Sequence, residues 1–160
     1  MKYERGFSLV ELLVVIATMV LLSSVILATI GAARVKARLA KRVSDFREVK
    51  LALDMYYDAN GSYPSTGGLT RSECALWGSF SANNVIPGLA PIYISAIPSE
   101  PTADKVGSIS CYIYISNGIE YAFIDRLINE PGFVASSQPQ LVDTTRVNTW
   151  KIYSPGASLW

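Results

Sequence analysis

The stretch from Phe7 to Ala33, FSLVELLVVIATMVLLSSVILATIGAA, carries a single charged residue, Glu11, and no proline. Coiled as a helix it rises about 40 Å, enough to cross a hydrocarbon layer of about 30 Å. A helix apolar on every side has no face to offer to water, so it must enter lipid or a bundle of other helices. The run exceeds the core of a secretory signal, about 7–15 residues, although Gly31-Ala32-Ala33 would supply a small-residue end. Glu11 is the anomaly. An acid in such a segment costs a few kcal/mol to insert, so it requires a partner and a purpose that an ordinary anchor does not provide.

The rest of the chain narrows the functional classes. Its 160 residues accommodate one modest domain beside the apolar block. Lys and Arg total 14 against 13 Asp and Glu, with no basic stripe interleaved with aromatics, so nucleic acid is not an expected partner. Histidine is absent and the only cysteines are Cys74 and Cys111. That removes the usual general base and the commonest metal ligands, and no catalytic residue is expected.

The start of the chain reads Lys2, Arg5, Gly6, Phe7, Ser8, Leu9, Val10, Glu11. Cleavage after Gly6 would leave a cationic amine on Phe7, four residues before Glu11, and helical positions four apart share a face. Glu11 can therefore answer a positive N-terminus, its own or a neighbour's. These residues resemble the prepilin N-terminal cleavage and methylation motif of the type IV pilin and type II secretion pseudopilin family. The resemblance implies that a prepilin peptidase cuts between Gly6 and Phe7 and methylates the new amine, and that Glu11 acts in assembly. It also implies a homo-oligomeric helical fibre raised from an inner-membrane platform. The front motif fits a type IV pilus subunit and a secretion pseudopilin alike. A membrane-anchored binding module that does not polymerise is the rival class.

Two features of the apolar block stand beside the motif. Ser24, Ala28 and Ala32 recur at four-residue intervals, which suits close helix approach in lipid or a fibre core and equally suits ordinary membrane-helix composition. The cations Arg34, Lys36, Arg38, Lys41 and Arg42 outnumber Lys2 and Arg5, and by charge bias alone would hold the C-terminal part in the cytoplasm. The motif implies the opposite: a single-pass inner-membrane protein with its C-terminal domain outside the cytoplasm.

Beyond Ala33, the apolar set Val35, Leu39, Val43, Phe46, Val49, Leu53 and Tyr56 advances by threes and fours. Asn60-Gly61 and then Pro64 supply a stop, so one helix is expected from near Phe7 to Ala59, with a break near Gly31 as the alternative. Leu53–Pro64 and Tyr93–Pro101 (YISAIPSEP) also resemble segments of major pseudopilins, the latter with Glu100 where the family carries Asp.

From Ser110 the pattern becomes SCYIYIS, Asn117-Gly118, IEYAFI. This predicts a hairpin closed by a two-residue turn, pairing Ile115 with Glu120 and Tyr112 with Phe123. One face is then aromatic and the other aliphatic, and the aliphatic face is expected to cover the helix. A further strand is expected over Val147–Tyr153. The expected fold is α+β and pilin-like, a long N-terminal helix on a small antiparallel sheet. It divides into a leader (1–6), a membrane and polymerisation helix (7–33) and a globular domain (34–160).

Asp125, Asn129, Glu130 and Asp143 lie where the resembled pseudopilins hold calcium, but their spacing fits no calcium loop, and solvated loop charges are the expected reading. No cofactor is expected. Cys74 and Cys111 are expected to form a disulfide outside the cytoplasm, two buried thiols being the alternative.

Overall fold

The computed structural model describes residues 7–103 and 109–160, apart from the side chains of 25–29. The leader expected over residues 1–6, with Gly6, lies outside the described residues. One helix, α1, spans Leu9–Asn60 without a break at Gly31. It ends where the sequence placed the stop. Gly61 adopts φ +68° and donates its N–H to Tyr57 O at 2.7 Å, a left-handed cap that glycine takes at no steric cost.

The chain divides between Arg38 and Leu39 into two units. The first consists of the early turns of α1. Its large apolar side chains over the first turns are exposed, among them Leu9, Leu12, Leu13, Ile16, Met19 and Leu22, while Val35 is half-buried.

The second unit is a four-stranded antiparallel sheet packed on the last turns of α1. Its strands are β1 (Arg71–Ser72), β2 (Cys111–Ser116), β3 (Tyr121–Arg126) and β4 (Trp150–Tyr153), in spatial order β1-β2-β3-β4. Phe46, Val49, Ala52 and Leu53 of α1 are buried with Tyr112, Tyr114, Tyr121, Phe123 and Trp150, and Leu39, Val43 and Tyr56 border them. Val85, Ile86, Leu89 and Ile97 of the connection between β1 and β2, with Ile128 and Leu141 of that between β3 and β4, complete this core.

Two expectations about the sheet need correction. The register pairs Ser116 with Tyr121 and Tyr112 with Asp125, two residues from the expected alignment. Asn117-Gly118 does not form a two-residue turn. Instead the Asn117 carboxamide oxygen accepts the N–H groups of Ile119 and Glu120, and Ser116 Oγ bridges Gly118 N and Glu120 O, which closes a four-residue loop. Because the shift is even, each side chain keeps its face.

The second correction is which face covers the helix. The aromatic face does, while Ile113, Ala122 and Ile124 pack on the other side with Ala157, Trp77 and Trp160. Tyrosine can be buried there because its hydroxyl finds acceptors: Tyr112 donates to Asp45 Oδ2 and Tyr114 to Pro64 O, at 2.8 and 2.9 Å. The aliphatic side chains gain nothing from those acceptors.

Candidate functional site

Ser8 precedes α1 and its carbonyl accepts the first helical bond, from Leu12 N at 3.2 Å. Glu11 reaches back so that its Oε2 accepts the Ser8 N–H at 2.9 Å. This is the carboxylate half of a capping box: the third residue of a helix satisfies the amide of the residue before it, and its charge faces the positive end of the helix dipole. Phe7, just outside the helix, is 79 % exposed. Around this polar end the side chains of the first turns are apolar, exposed and unpartnered in the single chain. Among the described residues no helix is long and apolar enough to cross a membrane. Residues 25–29, in the last third of the expected span, are not among the described side chains.

Cys74 and Cys111 are joined by a disulfide with a Cα–Cα distance of 6.2 Å. It fastens the segment after β1 to the first residue of β2.

The acidic residues read as solvated loop charges are not solvated. Asp125, Glu130 and Asp143 are buried, and they divide between two places. Asp143 faces Arg146 at 2.7 Å and Lys151 at 3.7 Å and accepts the N–H and hydroxyl of Thr145. Burial alone would raise its pKa, but these hydrogen bonds and cations outweigh it and hold the carboxyl below its ordinary value.

Asp125 and Glu130 instead face Arg42, which is fully buried although sequence reading placed it with the membrane-flanking cations. The Arg42 Nε donates to Glu100 Oε1 at 2.9 Å, Nη2 donates to the same oxygen, and Nη1 donates to Glu130 Oε1 at 3.1 Å. The other Glu100 oxygen accepts Thr102 N and Oγ1. Beside them Asp45 accepts Lys41 Nζ and the Tyr112 hydroxyl, which burial keeps protonated by pushing its pKa up. Burial pulls the Arg42 pKa down, but Asp125 and Glu100 outweigh it, so it rises and the guanidinium stays charged. No group of three or more metal-ligating side chains is assembled among the described residues.

Sequence reasoning missed this cluster, though both signals were present. Arg42 falls between Leu39 and Phe46 within the apolar stripe, and Asp125 continues the inward alternation of Tyr121 and Phe123.

A helix whose first turns expose apolar side chains and whose last turns pack on a small antiparallel sheet is the pilin-like arrangement. The chain is similar to several curated proteins called type II secretion system core protein G. That of Klebsiella pneumoniae is 35 % identical over 102 residues, covering 63 % of this chain and 71 % of the relative. That of Escherichia coli strain K12 is 34 % identical over 100 residues, covering 61 % and 66 %. That of Pectobacterium carotovorum is 41 % identical over 63 residues, covering 39 % of this chain and only 40 % of the relative's length. No family model matches the chain, and no solved structure matches it. The chain belongs to the type IV pilin and type II secretion pseudopilin family.

Proposed function

We propose that this chain is a structural subunit of a type II secretion pseudopilus fibre, and not an enzyme. The observation that carries the reading is the row of exposed apolar side chains from Phe7 to Leu22 ahead of a folded domain. Soluble monomers rarely leave so much contiguous apolar surface uncovered, so lipid before assembly and neighbouring helices after it are its natural partners. The secretion pseudopilus is favoured over a type IV pilus by the names of the relatives.

In this reading a prepilin peptidase cuts between Gly6 and Phe7. The helix from Phe7 to Ala33 holds the subunit in the inner membrane, with its C-terminal domain outside the cytoplasm. An assembly platform then draws it into the fibre, where Glu11 meets the N-terminal amine of a neighbour. Exchanging the Ser8 amide for that amine would replace a neutral hydrogen bond with a charge-assisted one.

The test is expression of the full chain with and without a type II secretion assembly apparatus. Detergent-free filaments built from chains that begin at Phe7 are expected only with the apparatus. A detergent-soluble monomer under both conditions would overturn the proposal, as would a mature N-terminus at or beyond Arg34.

A further inference from the structure

We infer that the buried cluster around Arg42 is a proton-binding site, in which Asp125 is held as a neutral carboxylic acid at neutral pH and ties β3 to α1 only in that form. The inference does not rest on the fibre reading. It begins with charge. Among the described residues Arg42 is the one cation facing Glu100 and Asp125, it also reaches Glu130, and all four side chains are almost wholly buried. Fully ionised, Glu100 and Asp125 would set two negative charges against the one positive charge of Arg42 out of contact with water, and a protein relieves such a state by protonation.

Donor geometry selects the residue. Glu100 receives two bonds from Arg42 and two from Thr102, and Glu130 receives one from Arg42. Asp125 Oδ2 lies 3.0 Å from Arg42 Nε, yet the single hydrogen on Nε points at Glu100 Oε1. Among the described residues no donor hydrogen is aimed at either Asp125 oxygen, and the residue is fully buried. A carboxylate there would be an acceptor without donors. A carboxylic acid brings its own donor into a cluster crowded with acceptors.

The groups facing Asp125 can be taken element by element. Arg42 and Asp45 come from α1, and Glu100 from the segment before β2. Tyr112 lies opposite on β2 and Trp150 opposite on β4, and Glu130 follows β3 across the guanidinium. Lys151 lies opposite Ile124, on the other face, and engages Asp143. Arg42 is thus the only cation turned towards Asp125 among the described residues. Burial raises the Asp125 carboxyl well above its ordinary pKa, with Glu100 and Asp45 adding to it and Arg42 opposing it.

A raised carboxyl means that the folded chain binds more protons than the unfolded one. Stability therefore falls as pH rises from the unfolded carboxylate range, about 3.9, through the folded value. Each pKa unit between the two states is about tenfold in the unfolding equilibrium.

The first test is the wild-type full chain in detergent with 13C-labelled aspartate carboxyls. One resonance, absent from Asp125→Asn, is expected to remain that of a neutral acid at neutral pH. The second test is stability. Asparagine reproduces the shape and donor of the acid without its titration, so Asp125→Asn is expected to lower the unfolding constant at neutral pH by about tenfold or more and to remove the fall between acid and neutral pH. The third is calcium, which is expected to leave the wild-type melt unchanged. An ionised Asp125 at neutral pH, an Asp125→Asn chain tenfold less stable there, or calcium-dependent stabilisation lost in the variant would each overturn the inference.

Discussion

Replacing Arg42 with methionine takes the guanidinium away while leaving an unbranched apolar stem of similar reach. The Arg42 stem is fully buried, so the variant keeps packing near Phe46 and loses the charge and its donors. Glu100 then loses the two bonds it receives from Arg42 and Glu130 loses one, with both carboxylates still buried. Removing one partner of a buried ion pair commonly costs about 3–5 kcal/mol, because the charge left behind is uncompensated. Whole domains are stable by only about 5–15 kcal/mol. A loss of that size is therefore expected to lower the melting temperature by roughly 6–20 °C for a chain of this length.

The assay is thermal and urea unfolding of the full chain in detergent, followed by near-ultraviolet circular dichroism of the buried Tyr112 and Trp150. The deficit should also carry a pH signature. Without the cation, the remaining carboxylates favour their neutral forms in the folded state, so the folded variant binds more protons and regains stability as the pH falls. Arg42→Lys should fall between, since one ammonium cannot fork to Glu100 and Glu130 as the guanidinium does. A stability within about 1 kcal/mol of wild type would refute the account. So would a deficit that acid does not reduce.

Three further outcomes are expected. Reducing the Cys74–Cys111 bond, which closes a loop of separation 37, should cost about 4 kcal/mol in the chain-entropy model, read as a lower urea midpoint with reductant than without. Glu11→Ala removes the acceptor of the Ser8 amide and should leave membrane extraction unchanged while filament yield collapses, measured by shearing and pelleting; normal yield would confine Glu11 to capping. Asp143 is held below the ordinary carboxylate pKa, so its contribution is present above about 3.9 and is lost as the pH falls through its folded value. Asp143→Asn should accordingly flatten the acid limb of the stability profile, and an unchanged limb would show that its cations do not stabilise it.

What the sequence made legible was local. The period of Leu39, Val43, Phe46, Val49, Leu53 and Tyr56 placed the packed half of α1, Asn60-Gly61 marked its end, and the alternation in SCYIYIS and IEYAFI placed β2 and β3. The hairpin register failed because Asn-Gly is read as a turn by its backbone preference, whereas here the Asn117 side chain sets the loop. β1 has two residues, too few to leave a pattern.

The buried charges failed for a different reason. A charged residue is assigned to water by its type, and its partners lie far off: Arg42 meets Glu100 and Glu130 at separations of 58 and 88. Yet position contradicted type at both ends of the cluster. An arginine three residues after Leu39 and four before Phe46 occupies the same stripe as they do. An aspartate two residues after Phe123 points to the same side of its strand. A single basic residue inside an apolar stripe requires a buried acid elsewhere in the chain, and an acid at an inward strand position requires a cation or a proton. Glu100 and Glu130 engage the guanidinium that the stripe demanded, and for Asp125, which lies beside that guanidinium but has no donor hydrogen aimed at its oxygens, the requirement falls on the proton.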